Sequence, residues 1–178
     1  MRELERVLDG WDLSVLDADE YPREDGDTYY ENARGKAEYG RRLASGAWVL
    51  GEDSGIEVAG LGGAPGVLSA RFGGDDPVGR LLTELRGVEG EGRRARYVSE
   101  LVAIAPDGQE VRGTGIFKGR IAGDARGSEG FGYDPVFIPD GAERTVAELG
   151  NDWKARNSHR ARAAHALRAA VVSASHRA

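Results

Sequence analysis

Two adjacent carboxylates, Glu52 and Asp53, follow the apolar run Ala47-Trp48-Val49-Leu50 and lead into Ser54-Gly55. Acids at the end of a strand, beside a flexible glycine loop, are suited to hold a divalent cation against a phosphate. The glycines continue through Leu61-Gly62-Gly63-Ala64-Pro65-Gly66 and let the backbone turn sharply. Glu24 and Glu31 are further acids that can meet the pair around one site. Magnesium takes one or two carboxylates together with phosphate oxygens and waters, and another carboxylate can deprotonate an attacking water. Any one acid alone reads as a solvated surface charge; the adjacent pair, between an apolar run and glycine, reads as chemistry.

Three other groups of residues carry chemical potential. In Gly130-Phe131-Gly132-Tyr133-Asp134-Pro135, small residues let a flat ring approach the backbone. The Phe131 face can stack on a base, and Asp134 or backbone amides can read the base's edge. In Lys154 and Ser158-His159-Arg160, Ser158 is a natural N-cap, and His159 and Arg160 fall in the first turn of a helix. The helix dipole and free amides there favour an anion. In Glu31-Asn32-Ala33-Arg34-Gly35-Lys36-Ala37, Asn32 and Lys36 share a helix face, and Lys36 can reach a phosphate or hold an acid in place.

The elements that must position these residues follow from periodicity. Leu4, Val7 and Leu8 mark one face of a helix over 2–8, and Leu13–Leu16 has the pattern of a short strand. Residues 17–27 read as an acidic loop. Thr28 and Glu31 have capping-box spacing for a helix running to about Ala44. Ala47–Leu50 reads as a buried strand, Ile56–Val58 as a second extended piece, and 60–66 as non-helical. Pro77 opens a helix over 77–86. Ala95–Ala105 and Glu110–Phe117 read as strands, the first alternating at Tyr97, Leu101, Ala103 and Ala105, joined by the turn Pro106-Asp107-Gly108. A glycine-rich loop over 119–132 precedes a buried strand at Val136–Ile138. Thr145–Leu149 is a short helix and Ser158–Ser175 a long one. Strands and helices mix without strict alternation, which predicts an α/β fold with a mixed, twisted sheet and flanking helices.

The composition narrows the function classes. At 178 residues with 40% apolar content the chain reads as one domain, or two lobes sharing a core. There is no cysteine, which excludes disulfides and thiolate metal sites. No apolar run is long enough for a transmembrane helix, and Met1–Leu8 lacks the apolar core of a signal peptide, so a soluble cytoplasmic protein is expected. The net charge of −6 argues against bulk binding to nucleic acid, yet a metal and a few basic side chains can neutralise one triphosphate. From Lys154 to the end, through Arg177, there are bases and no acids.

Taken together, these motifs resemble the inosine/xanthosine triphosphate pyrophosphatases, which remove deaminated purine nucleotides. The matching pieces are Thr28 to Ala37, Glu52-Asp53-Ser54-Gly55 with Leu61 to Arg71, Gly130 to Phe137, and Lys154 with Ser158-His159-Arg160, in the family's order across about residues 2–170. The resemblance implies a long curved mixed sheet with flanking helices and two lobes around a nucleotide cleft, as a single domain over 1–178. It implies hydrolysis of ITP, XTP and dITP to the monophosphate and pyrophosphate, dependence on Mg²⁺, and a homodimer. By motif match Asp53 is the general base; Glu24 and Asp53 bind metal; Lys36 lies near the phosphates and Ser54 contacts substrate. Phe131, Gly132, Tyr133, Asp134, Lys154, His159 and Arg160 form the base pocket. A 6-oxo purine offers an acceptor where adenine offers an amino donor, so donors from His159 and Arg160 leave adenine unpaired.

The chain departs from the family in two places. The family's first strand and its phosphate-binding turn with Asn and Lys precede the helix with which this chain opens. The resemblance therefore implies an N-terminally shortened chain, less stable and less active than a longer product. Glu52 stands where Asp is commoner. The alternatives are a nucleotide-binding relic with little turnover and a pyrophosphatase for other modified triphosphates.

Overall fold

The computed structural model describes residues 2–18 and 20–175; Met1, Asp19 and 176–178, with the Arg177 end of the basic tail, lie outside the described residues. Helix α1 (Arg2–Val7) places Leu4, Val7 and Leu8 on one buried face, as their spacing predicts. Helix α2 (Tyr29–Leu43) begins at the expected capping box: the Glu31 amide donates to Thr28 Oγ1 at 3.1 Å and the Thr28 amide to Glu31 Oε2 at 2.9 Å. The Leu13–Leu16 segment is not a strand: it pairs with none among the described residues, and a strand pattern needs a neighbour to satisfy its amides.

The two extended pieces expected at 47–50 and 56–58 are one strand, β1 (Val49–Val58). The acid pair therefore lies inside a strand and not after it. Alternation then sends Asp53 to the covered face while Glu52 stays half-buried. Residues 59–61 form a single 3-10 turn, and β2 (Pro65–Gly66) pairs antiparallel with β1 in the register Ile56 to Gly66 and Glu57 to Pro65. Helix α3 (Pro77–Glu84) has Asp76 as N-cap, accepting from the Gly79 amide at 2.8 Å, with Pro77 at its first position.

Strands β3 (Arg94–Ile104) and β4 (Glu110–Ile121) flank the expected turn, in which the Gly108 amide donates to Ala105 O at 2.9 Å. Two expectations fail here. Nearly all of β3 is buried on both faces, so its side chains do not alternate between core and water. β4 runs four residues past Phe117, taking the beginning of what reads as a glycine loop. Gly119 makes this possible, because a side chain there would meet Ile138 O and the Phe137 ring. β5 (Phe137–Pro139) pairs antiparallel with β4, giving the strand order β2-β1-β3-β4-β5. Helix α4 (Val146–Leu149) starts at the Thr145–Glu148 capping box. The chain then forms α5 (Asn151–Asn157), which the sequence reading did not anticipate, and α6 (His159–Ser175).

The chain divides into two compact units. One comprises residues 1–54, 99–115 and 159–178; the other comprises 55–98 and 116–158. In the first, Leu8, Leu101, Ala163 and Leu167 are fully buried in one cluster, and Ala33, Ala37 and Val102 in another. Helices α2 and α6 lie directly on strand backbone. An ideal Cβ at Gly51 would be 2.0 Å from Ala33 O in α2, and one at Gly115 would be 1.9 Å from His159 O in α6. In the second unit, Ile56, Val58, Leu81, Leu85, Val136 and Phe137 form the core, with the Tyr97 and Phe137 rings 4.7 Å apart. Half-buried Arg93 donates there to Val88 O at 2.7 Å, Ala122 O at 2.8 Å and Leu85 O at 3.1 Å. No helix among the described residues is long and apolar enough to cross a membrane.

Candidate active site

In the first unit the predicted acids and cations form one network around Asp53. Asp53 is only 6% exposed. Its Oδ1 is 3.3 Å from Lys36 Nζ, and its Oδ2 accepts from Asn32 Nδ2 at 3.1 Å. Helical spacing places Asn32 and Lys36 one turn apart on the same face of α2, which is why both reach β1. Lys36 Nζ also donates to Glu52 O at 2.7 Å and pairs with Glu24 Oε1 at 2.5 Å. Glu24 and Asp53 thus converge on one cation position. Burial pushes the Asp53 carboxyl up from its ordinary value, against the opposing pull of Lys36 and Asn32. A carboxylate raised this way is a stronger base than one in water.

Glu52 does different work. Its Oε1 accepts from Ser99 Oγ and from Arg160 Nε, both at 3.1 Å, and Arg160 Nη2 donates to Ser54 Oγ at 2.7 Å. The acid beside the candidate base therefore anchors Arg160, which explains why a longer Glu is accommodated. His159, buried at the start of α6, belongs to the same unit. Glu31 is spent on the Thr28 cap and does not join the network.

The second unit gathers Phe131, Gly132, Tyr133, Asp134 and Lys154. Lys154, delivered by α5, is 4% exposed; its Nζ lies 2.5 Å from Asp134 Oδ2 and 3.5 Å from the centre of the Phe131 ring. Asp134 Oδ2 also accepts from the Phe131 amide at 2.8 Å. Asp134 is thereby engaged inside the fold, holding both the cation and the backbone under the ring. Phe131 itself remains 58% exposed, a flat aromatic surface presented outward. The Tyr133 hydroxyl donates to Ser69 O at 2.9 Å, and burial pushes its pKa up to about 12, keeping that donor protonated. A cavity of about 520 Å³ in this unit, lined by Glu57, Arg94, Arg96, Lys118 and Asp140 among others, includes none of the predicted site residues.

Sequence reasoning missed two participants. Asn32 was noted only for its spacing from Lys36, and that spacing is the signal that could have assigned it. Ser99 lies in the middle of β3 with no local cue; only the sheet brings it to Glu52.

The Ham1 family profile matches residues 1–170. The chain belongs to the Ham1 family. Among its relatives, the dITP/XTP pyrophosphatase of Deinococcus deserti is 44% identical over 177 residues, covering 96% of this chain and 83% of that protein. That of Thermus thermophilus is 45% identical over 176 residues, covering 94% and 84%. Among solved structures, a HAM1 protein from Coxiella burnetii superposes with a TM-score of 0.84 at 28% identity, covering 98% of this chain and 92% of that one. A nucleoside-triphosphatase, a dITP/XTP pyrophosphatase from Mycobacterium abscessus, superposes with a TM-score of 0.74 at 39% identity, covering 93% and 91%. The α/β architecture expected from the sequence, a sheet flanked by helices, is thus that of the Ham1 family.

Nucleotide pyrophosphatases of this family typically need a divalent metal. Among the described residues no three of His, Asp and Glu gather closely enough to hold an ion by themselves. Glu24 and Asp53 nevertheless fit such an ion. They are hard oxygen donors meeting at the Lys36 ammonium, and a cation completed by phosphate oxygens and water needs no third carboxylate.

Proposed function

We propose that this Ham1-family chain is a nucleoside triphosphate pyrophosphatase that hydrolyses deaminated purine nucleotides, dITP, ITP and XTP, to the monophosphate and pyrophosphate. The observation that carries the reading is Asp53: a buried carboxylate, raised by burial and held by Asn32 and Lys36. Asp53 takes the proton of the attacking water as it displaces pyrophosphate from the α-phosphorus in line. Lys36 sits beside the phosphates and keeps Glu24 and Asp53 together. Mg²⁺ is the proposed metal, held by Glu24 and Asp53; when bound it neutralises charge that develops on the phosphate oxygens. Ser54 and Arg160 contact the substrate, with Glu52 and Ser99 fixing the guanidinium.

Phe131 offers the purine a stacking surface, with Gly132 leaving room beside the ring and Lys154 holding it from behind. Asp134 supports that surface through Lys154 and the Phe131 amide, and Tyr133 fixes the turn to Ser69. His159 and Arg160 donate to the 6-oxo acceptor, which adenine lacks. The protein works as a single catalytic domain in the cytoplasm and as a homodimer. The test is pyrophosphate release from dITP, ITP, XTP, dATP and dGTP with Mg²⁺. Preference for the first three supports the proposal. Equal turnover of dATP refutes the base selection, and no turnover of any refutes the activity.

A further inference from the structure

Asn32 touches neither substrate nor metal in the chemistry just described, yet it is buried at 5% exposure and uses both ends of its amide. Its Oδ1 accepts from the Gly26 amide at 2.9 Å, and its Nδ2 donates to Asp53 Oδ2 at 3.1 Å. The first bond decides the second. With Oδ1 committed to an N–H, only the NH₂ end can face Asp53, so the orientation is fixed by partner chemistry. A carboxylate with one oxygen held by a neutral donor presents the other to Lys36 and to the space beyond it.

The Gly26 bond also reaches the loop that carries Glu24, two residues earlier. One side chain therefore ties together the loop of Glu24 and the carboxylate of Asp53. Gly26 lies tightly over this joint: a Cβ there would stand 2.8 Å from Asn32 Oδ1 and 2.8 Å from Glu31 Cβ. Asn32 lies in the first turn of α2, its own backbone amide donating to the O of the N-cap Thr28 at 3.2 Å. The amide has little freedom to rotate, and its energy goes into geometry rather than affinity.

We infer that Asn32 is a positioning residue for the hydrolysis, locking the Asp53 carboxylate in one orientation and the Glu24 loop against it. This rests on Asp53 being the base. Misplacement of a reacting group by about 1 Å costs on the order of 100-fold in rate, while contacts to the nucleotide itself are untouched.

Three variants test it. Asn32→Asp keeps the shape and the acceptor for Gly26 but replaces the donor to Asp53 with a carboxylate oxygen that repels it. Gly26→Ala leaves Asn32 in place and presses on its Oδ1. Asn32→Ala removes both bonds. For the first two, kcat for dITP is expected to fall by about 10- to 100-fold with KM within about twofold. Because Gly26→Ala acts through the same amide, the double variant with Asn32→Asp loses less than the product of the two. Amide hydrogen exchange supplies a readout independent of turnover: the Gly26 amide is protected in the parent and in Asn32→Asp, and exposed in Asn32→Ala. Circular dichroism establishes that each variant is folded. A kcat within twofold of the parent in both Asn32→Asp and Gly26→Ala, or an unprotected Gly26 amide in the parent, overturns the inference. An active Asp53→Asn variant overturns instead the assignment of the base on which it rests.

Discussion

Two glycines on either side of the α2–β1 contact make opposite predictions. Gly51 lies in β1, where an added Cβ would stand 2.0 Å from Ala33 O and 2.7 Å from Ala37 N. Ordinary contact begins near 3.4 Å, so Gly51→Ala must drive α2 back by more than about 1 Å. The obstructing atoms are helix backbone and cannot rotate away. Overpacking of this kind costs about 1–3 kcal/mol, occasionally more. In a chain of this length that lowers the thermal midpoint by about 2–12 °C. The same retreat stretches the 3.1 Å Asn32 and 3.3 Å Lys36 contacts to Asp53 beyond hydrogen-bonding distance. Gly35 is in the same helix, but a Cβ there meets nothing within 4 Å. Gly35→Ala stabilises by about 0.5–1 kcal/mol through helix propensity, and leaves turnover unchanged. Scanning calorimetry and a pyrophosphate-release assay on both variants decide the matter. If Gly51→Ala melts with the parent, or loses stability but keeps full turnover, α2 is not seated on the strand backbone as described.

Asp53→Asn is expected to abolish turnover while Glu52→Gln retains more of it; full activity of Asp53→Asn in a pyrophosphate assay refutes the assigned base. The Asp53 carboxyl is raised by burial, so the folded state holds that proton more tightly than the unfolded chain. Its contribution to stability is present below the unfolded pKa and is lost as pH rises through the unfolded and then the folded value. Asp53→Asn should therefore melt higher than the parent at neutral pH without metal or nucleotide, and a lower midpoint contradicts a desolvated carboxylate. Tyr133→Phe leaves Ser69 O without its donor, costing about 1–3 kcal/mol in urea titrations; an unchanged midpoint means the bond does not hold the turn. Phe131→Ala should raise KM for dITP by about tenfold or more from lost stacking, at similar kcat. An unchanged KM would deny the ring its role as a platform.

The parts of the fold written in local chemistry were legible in the sequence. Thr28 and Glu31, Pro77, and Pro106-Asp107-Gly108 each act within four residues, so the capping box, the helix start and the turn appear where spacing puts them. What failed depended on neighbours distant in sequence. Leu13–Leu16 has the apolar content of a strand and no strand to pair with among the described residues. Ala47–Leu50 and Ile56–Val58 read as separate pieces, but Gly51 serves close packing against α2, and one strand runs on through the acids. The site was legible as residue types and not as bonds. Asn32 and Lys36 were visible as a helix face, whereas Ser99 and the anchoring of Arg160 by Glu52 span 47 and 108 residues. Asp134 read as a base-edge acceptor; its short contacts to Lys154 and the Phe131 amide give it an internal occupation that motif chemistry could not reveal.

Arg93 bears on the medium in which the chain can work. Its guanidinium joins the turn at Val88, the end of α3 at Leu85 and the exit of β4 at Ala122. The stretch 85–88 and the exit of β4, more than thirty residues further on, are thus fastened by a guanidinium whose planar fork no lysine reproduces. Secreted chains often make such fastenings with disulfides, which depend on the thiol poise of their surroundings. This chain has no cysteine and a single methionine. Its cross-link is an ionised fork against carbonyl oxygens, indifferent to oxidant and reductant alike. The sulfur of that one methionine is all the chain offers to the oxidation chemistry of cysteine and methionine.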